Sequence, residues 1–219
     1  MAVVRLDHRL RFPDPQGTDP EGLVAVGGDL SLPRLQLAYR SGIFPWTASP
    51  VTWWSPDPRG IFELDRFHVS RSLARVLRRE RFRITVNRAF REVMKACAAP
   101  GPGRWDTWIT GEFLAAYMQL HTAGSAHSLE CWERDTLVGG IYGVAMGGLF
   151  AGESMFHRVS DASKVALFHL VQRLRRQQFE MFDIQMLTPV TRQLGALNIS
   201  RKDYLARIAT AVEKRCRFD

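Results

Sequence analysis

Cysteine is scarce in this chain, and long apolar runs are missing. The three cysteines, Cys97, Cys131 and Cys216, are far apart and odd in number, which favours neither a disulfide framework nor a zinc site. No stretch of about 18 apolar residues is present, so the sequence predicts no membrane span. The N-terminal segment MAVVRLDHRLRFPDP has no apolar core of the signal-peptide type, and we therefore expect a cytoplasmic protein.

Motifs of several large enzyme classes are also absent. The sequence has no G-x-x-x-x-G-K-[ST] phosphate loop, no G-x-G-x-x-G turn and no G-x-S-x-G nucleophile turn. His121 and His127 are not spaced as the i, i+4 pair of a zinc-binding helix. We therefore expect a site that uses neither a metal nor a cofactor.

Positive charge, by contrast, is abundant. The 219 residues carry a formal net charge of +8, and the sequence pI is about 10.0. Such a balance is typical of proteins that bind a polyanion, most often nucleic acid. A generally basic, solubilising surface is the alternative that composition alone leaves open.

One predicted helix, within HVSRSLARVLRRERF, is rich in basic residues. Ser70 fits its N-cap, and Leu73, Val76 and Leu77 form its apolar stripe. Another side of this helix carries four arginines and no acidic residue before Glu80: Arg71, Arg75, Arg78 and Arg79. Because a solvated charged face usually mixes both signs, this pattern favours a phosphate-binding surface.

The character of the sequence changes around residue 62, which predicts a small N-terminal domain of residues 1–62 and a second domain of residues 63–219. The first is predicted to contain an apolar strand at 23–26 and a helix between Ser31 and Gly42. Residues 42–60 hold three Trp and four Pro, which we interpret as too stiff for a regular strand. They form either a packed rigid connector or the wall of a site for a flat or apolar group.

The second domain alternates helical and strand-like patterns. The predicted order is helix, strand, two helices, strands with a turn at ERD, helix, strand FEMFDIQML, a turn at PVTRQLGA and a final helix. Such an order indicates an α+β domain with a mainly antiparallel sheet. The segment PGPGRWDT is predicted to be a loop.

Three polar residues stand out in apolar strands of this domain. Glu153 lies in LFAGESMF, where a buried carboxylate is costly unless a partner satisfies it. Asp183 and Gln185 occupy alternate positions of FDIQML, so they are expected to point the same way. They form either an exposed or satisfied polar pair, or a polar spot at the mouth of a pocket that Glu153 joins.

Several strings, read in order, resemble one known family. They are GLVAVGGDL, YRSGIFPW, WWSPDPR, HVSRSL, DTWIT, HSLECW, LVGGIYGVAMGGLFAGESMF, ASKVAL, FDIQ and RKDYL. This set is similar to the leucyl/phenylalanyl-tRNA–protein transferases over nearly the whole chain. The resemblance implies a small N-terminal α/β domain and a C-terminal acyltransferase domain of the GNAT type. It also implies transfer of Leu, Phe or Met from aminoacyl-tRNA to proteins that begin with Arg or Lys, which marks them for degradation by the bacterial N-end rule.

The resemblance also implies roles for individual residues. Asp183 and Gln185 would form the catalytic pair, and Glu153 would complete it and bind the basic acceptor. The pocket for the amino-acid side chain and the terminal adenosine would be shaped by Trp46, Trp108, Ile141, Phe150 and Leu167. The helix with Arg71, Arg75, Arg78 and Arg79 would hold the tRNA acceptor stem. We expect a monomer without coenzyme A or a membrane partner.

Two other functions compete with this expectation. An acetyl-CoA-dependent N-acyltransferase would carry an [RQ]-x-x-G-x-[GA] turn, and the chain offers only RQLGALN in the wrong place. A non-catalytic RNA-binding protein would account for the arginines but not for Glu153, Asp183 and Gln185. Binding of tRNA without turnover would distinguish it. The chain stops at EKRCRFD, whereas family members commonly continue past the final helix.

Overall fold

The computed structural model describes residues 3–100 and 107–218, which form two β-sheets. The smaller sheet contains β1 (Val4–Leu6), β2 (Leu23–Gly27), β3 (Phe44–Ala48) and β4 (Val51–Trp54) in the order β1-β2-β4-β3. Helix α1 (Leu32–Arg40) connects β2 to β3, and Ser31 stands at its N-cap. The predicted apolar strand and the helix after it are therefore confirmed.

The Pro- and Trp-rich residues 42–60 form strands, so the prediction of a segment too stiff for regular strands was wrong. They supply β3, β4 and the start of β5 (Arg59–Phe62). Pro45 lies in β3, an edge strand, next to a register shift, and edge strands and bulges are the places where sheets accept proline. Pro50, Pro56 and Pro58 fall between strands, and Trp53 is fully buried. Three of the four prolines thus separate the strands, and the fourth lies within an edge strand.

The larger sheet contains seven strands and β5 is its first in sequence. The others are β6 (Arg83–Val86), β7 (Ala126–Glu133), β8 (Thr136–Met146), β9 (Leu149–His157), β10 (Met181–Gln185) and β11 (Leu197–Ile199). The order is β11-β5-β10-β9-β8-β7-β6. Among the described strands, β9 and β10 pair in parallel and the other neighbours in this sheet are antiparallel. The expected mainly antiparallel sheet is confirmed.

Helices cover both faces of this sheet. Two apolar cores result, one under α3 (Phe90–Ala98), α4 (Gly111–Thr122) and the smaller sheet, the other under α2 (Arg71–Arg78) and α5 (Ala162–Arg176). Helix α7 (Arg201–Ala211) contributes Tyr204 and Ile208 to the first core. Because β5 belongs to the larger sheet, the chain enters that sheet at Arg59; the division at residue 62 stays a prediction.

Details around these elements differ from the expectations. PVTRQLGA was predicted to be a turn, but Thr188 caps a short helix, α6 (Pro189–Gln193). The next strand, β11, was not predicted because it has only three residues. Of the loop predicted at PGPGRWDT, residues 101–106 lie outside the described part. Within that part, no helix is long and apolar enough to cross a membrane.

Candidate active site

The candidate site lies where the parallel strands β9 and β10 stop pairing. The last paired residues are Ala151 and Asp183, after which β9 continues to His157 while β10 ends at Gln185. Each strand has a register shift here, in β9 beside Glu153 and in β10 between Asp183 and Gln185. A bulge bends its strand and re-aims side chains. The separation of the two strands, together with the two bulges, therefore brings the side chains of Glu153 and Gln185 close together.

Gln185 adopts an unusual backbone conformation at the end of β10. Its φ is +56°, and the Met186 N–H donates to the Ile184 carbonyl at 2.6 Å. An i to i+2 hydrogen bond around a positive φ is the rare and strained form of the γ-turn. The backbone of β5 passes close by, since a Cβ on Gly60 would lie 2.9 Å from Leu187 N. Glycine at position 60 thus leaves room for the turn.

This turn ends the alternation that the sequence pattern predicted. In a regular strand Phe182, Ile184 and Met186 would share one face, but Phe182 is fully buried whereas Met186 is 48% exposed and lines a cavity. Asp183 and Gln185 are both buried, and they enter the same hydrogen-bond network. The expected proximity of the polar pair exists, although a bulge and a turn produce it rather than a regular strand.

Glu153 is satisfied by neutral donors. Its Oε1 accepts from Gln185 Nε2 at 3.1 Å, and its Oε2 accepts from the Tyr117 hydroxyl at 3.0 Å. The Tyr117 hydroxyl is itself hydrogen-bonded to that of Tyr39. Burial raises the pKa of the Glu153 carboxyl to about 7, although hydrogen bonds from Tyr39 and Tyr117 act in the opposite direction. No ion pair joins Glu153 to a cation among the described residues.

Asp183, in contrast, has a full set of partners inside the protein. Arg59 donates from Nε to Oδ1 at 2.9 Å and from Nη2 to Oδ2 at 2.7 Å, and both side chains are buried. The Tyr204 hydroxyl donates to Oδ2 at 2.8 Å, and the Gln185 backbone N–H donates to Oδ1 at 2.8 Å. Burial alone would lower the pKa of the Arg59 guanidinium, but the Asp183 carboxylate raises it above its usual value. Arg59 and Asp183 therefore form a buried, bidentate ion pair.

A cavity of about 130 Å³ opens beside this network. Glu153 and Gln185 supply its polar end, and its other lining residues are Phe44, Pro45, Trp46, Trp108 and Met186. Trp46 packs edge-on against Trp54, and Trp108 packs edge-on against Phe113. A partly aromatic cavity with a carboxylate and an amide at one end suits a ligand that has both a flat or apolar part and a cationic part.

The structure places the other residues expected in the pocket elsewhere. Ile141, Phe150 and Leu167 are buried in the core under α5, and none of them lines this cavity. Phe150 instead packs edge-on against Phe182 and stacks on Phe218. Their role in shaping the pocket stays a prediction.

The basic face of α2 forms a separate feature. Its four arginines, Arg71, Arg75, Arg78 and Arg79, are all exposed. Ser70 caps the helix by accepting the Leu73 N–H, as predicted. Within the described part of the chain, none of the four forms an ion pair with an acidic side chain. The face is therefore available to an external polyanion.

Sequence reasoning missed four residues of the network: Tyr39, Arg59, Tyr117 and Tyr204. Arg59 ends the string WWSPDPR and Tyr39 begins YRSGIFPW, so both stand in segments that had attracted notice for their aromatic residues. The signal that was overlooked is a cation following a Pro-rich run into a strand, RGIF, that is otherwise apolar. Nothing in the pattern of α4 or α7 distinguishes Tyr117 or Tyr204 from ordinary core tyrosines.

Comparison with known proteins gives a consistent result over most of the chain. Residues 61–209 match the family described as leucyl/phenylalanyl-tRNA protein transferase, and residues 28–57 match the N-terminal domain of that family. A leucyl/phenylalanyl-tRNA–protein transferase of Anaeromyxobacter sp. is 49% identical over 98% of this chain and 92% of its own length. One from Thiobacillus denitrificans is 53% identical over 89% of this chain and 86% of its own.

Similarity to solved structures is weaker. A structure described as L-PGS from Bacillus licheniformis aligns with 74% of this chain and 54% of its own, at 19% identity and a TM-score of 0.44.

Proposed function

Because the chain belongs to the leucyl/phenylalanyl-tRNA–protein transferase family and is an aminoacyltransferase, we propose that it moves Leu, Phe or Met onto proteins that begin with Arg or Lys. The product would carry a bacterial N-end rule degradation signal. In this proposal the enzyme works in the cytoplasm as a monomer, without coenzyme A. Its second domain, residues 63–219, would be of the GNAT type.

The observation that carries the proposal is the cavity that joins aromatic walls to a carboxylate and an amide. Trp46 and Trp108 offer flat apolar surfaces for the amino-acid side chain and the terminal adenosine of the donor. An apolar pocket discriminates weakly, since one methylene is worth only about 1–3 kcal/mol. Acceptance of Leu, Phe and Met together fits such walls. Ile141, Phe150 and Leu167 would support the pocket from the core behind it.

Glu153 is the group that would bind the acceptor. Its carboxylate receives hydrogen bonds from Tyr117 and Gln185, which hold it in place without neutralising it. A cation from outside would complete the site, and an N-terminal Arg or Lys supplies one. Binding of that cation favours the ionised form of a carboxyl whose pKa is raised by burial to about 7.

The reaction itself needs little activation. The α-amine of the acceptor attacks the ester carbonyl of the donor, a C–N bond forms, the ester C–O bond breaks, and the terminal ribose hydroxyl leaves with a proton. An α-amino group has a pKa of about 7.7–8.0, so a useful fraction is neutral near pH 7. Positioning of the two reactants alone supplies about 7–11 kcal/mol of the barrier reduction.

Gln185 is the residue that would orient the attacking amine. Its Nε2 donates to Glu153, which leaves its Oε1 to accept a hydrogen bond from the amine. Asp183 contacts Gln185 through the backbone N–H and is otherwise engaged by Arg59 and Tyr204. Asp183 would thus act by holding Gln185 rather than by taking a proton. The exposed arginines of α2 would bind the phosphates of the tRNA acceptor stem.

Transfer of labelled Leu from Leu-tRNA tests this function. The acceptors are one protein that begins with Arg and the same protein beginning with Ala, and the enzymes are the wild type and Asp183→Ala. We expect labelling of the Arg acceptor alone and loss of transfer in the variant. Retention of tRNA binding without any transfer by the wild type would contradict the proposed activity and favour an RNA-binding protein.

A further inference from the structure

The last strand of the Pro- and Trp-rich segment places a buried cation directly behind the cavity. Arg59 is 1% exposed, and its guanidinium lies between the rings of Phe44 and Tyr204, 4.9 and 4.4 Å from their centroids. Phe44 is also one of the residues that line the cavity. Arg59 therefore contacts the wall of the site without itself lining it.

Two nitrogens of the Arg59 guanidinium, Nε and Nη2, donate hydrogen bonds to the Asp183 carboxylate. The two bonds, 2.9 Å to Oδ1 and 2.7 Å to Oδ2, fix the plane of the carboxylate as well as its position. Nη2 also contacts the Tyr204 hydroxyl at 3.2 Å, and that hydroxyl donates to Asp183. A single ammonium group could not bridge both carboxylate oxygens in this way.

The oriented carboxylate in turn holds the strained turn. Oδ1 of Asp183, which accepts from Arg59 Nε, also accepts the backbone N–H of Gln185 at 2.8 Å. Gln185 has a positive φ, which a residue with a long side chain keeps only when its surroundings impose it. Gly60, next to Arg59, gives the backbone of this turn the space it occupies. Arg59 therefore acts on the turn through Asp183, and Gly60 leaves room for the backbone of the turn.

We propose that Arg59 is a positioning residue for aminoacyl transfer: through Asp183 it holds Gln185 in the left-handed turn that aims its side chain at Glu153 and the cavity. This rests on the proposed function, in which Gln185 orients the attacking amine. Arg59 contacts neither substrate. Its replacement should slow the chemical step and leave substrate binding largely intact.

The test compares Arg59→Lys with Arg34→Lys in steady-state transfer. Arg34 is a matched control, because it is equally buried but donates to the backbone carbonyls of Arg9 and Asp7, away from the site. We expect kcat of Arg59→Lys to fall at least about tenfold while KM for aminoacyl-tRNA changes less than about twofold, since small misplacements at a reacting centre act on rate. The control should lose thermal stability and keep its kcat.

Two further variants make the result decisive. Gly60→Ala adds a Cβ 2.9 Å from Leu187 N and Met186 C, so it presses on the turn without touching the buried pair. It should lower kcat in the same way, even if Arg59→Lys does not fold. Combining Arg59→Lys with Asp183→Asn should slow transfer no further than Asp183→Asn alone, because the effect passes through Asp183.

The possible failures separate the two proposals. Failure of the wild type to transfer Leu overturns the proposed function, and the positioning role with it. Normal transfer by the wild type and an unchanged kcat in folded Arg59→Lys overturn the positioning role alone. If Arg59→Lys does not fold, an unchanged kcat in Gly60→Ala overturns the positioning role instead.

Discussion

The Gln185 side-chain amide donates to the Glu153 carboxylate at 3.1 Å, across the point where β9 and β10 separate. One of these residues lies in a bulge and the other in a γ-turn, so neither position follows from a regular strand. The contact fixes which end of the Gln185 amide faces Glu153. The Gln185 amide oxygen thus stays available to a substrate. Because the amide is neutral, it does not compensate the charge of the Glu153 carboxylate.

Breaking the buried pair beneath this contact should affect both stability and rate. Asp183→Asn leaves the Arg59 guanidinium buried without its counterion, and such losses cost about 3–5 kcal/mol of unfolding free energy. Denaturant unfolding measures this loss, and single-turnover transfer measures the rate per folded enzyme. We expect both to fall. A rate equal to that of the wild type would remove Asp183 from the mechanism.

The pH dependence of transfer should reflect Glu153. Its pKa of about 7 means that the carboxyl is mostly protonated at pH 6, when it attracts a cation weakly, and mostly ionised at pH 8. Deprotonation of the acceptor amine, with a pKa of about 7.7–8.0, also favours the reaction at higher pH. Plots of log kcat/KM for the acceptor should therefore rise more steeply from pH 6 to 7 in the wild type than in Glu153→Gln, which keeps only the amine titration. Parallel plots would show that Glu153 does not titrate in this range.

The aromatic walls should contribute to donor binding. Trp108→Ala removes one face of the cavity, and because stacking of a base on an aromatic ring is worth about 1–3 kcal/mol, KM for Leu-tRNA should rise by about tenfold. Trp132→Ala is the matched control, since Trp132 is also half-buried but lies in β7 and bonds to Thr85. Equal KM values for the two variants would place the donor outside this cavity.

The basic face of α2 should make tRNA binding depend on salt. About four phosphate contacts predict a slope of log K against log salt near −3. Arg75→Gln combined with Arg79→Gln removes half of these contacts and should flatten the slope by about 1.5. Arg9→Gln combined with Arg11→Gln removes as much charge from the N-terminal segment and should change the slope little. Filter binding across a salt series measures both. A wild-type slope near zero would mean that the face is only solvated.

Regular features of this fold could be predicted from sequence because local signals and burial agree there. Ser70 caps α2 and alternation marks β6, so element type follows from the pattern. Residues 42–60 misled the prediction because Pro and Trp content was interpreted as rigidity. Their prolines fall at an edge strand and between strands, a fact that depends on the sheet order.

The site was only partly predictable for a related reason. Glu153, Asp183 and Gln185 stood out as polar residues in apolar strands, and the structure brings all three into one network. The partner of Asp183 could not be identified, since Arg59 lies 124 positions away and reaches it only through the pairing of β5 with β10. Likewise, strict alternation placed Met186 on the wrong face because the γ-turn at Gln185 leaves no signal in composition.

The most direct test of the account varies acceptor and donor separately in the Glu153→Gln variant. Glutamine keeps the size of the side chain and removes the charge, so KM for an acceptor that begins with Arg should rise at least about tenfold while KM for Leu-tRNA stays within about twofold. Glu63→Gln serves as the control, because Glu63 is a carboxylate paired with Arg207 in a different cleft. An equal loss for both substrates, or no loss for the acceptor, would contradict the role of Glu153 as the carboxylate that receives the acceptor's cation.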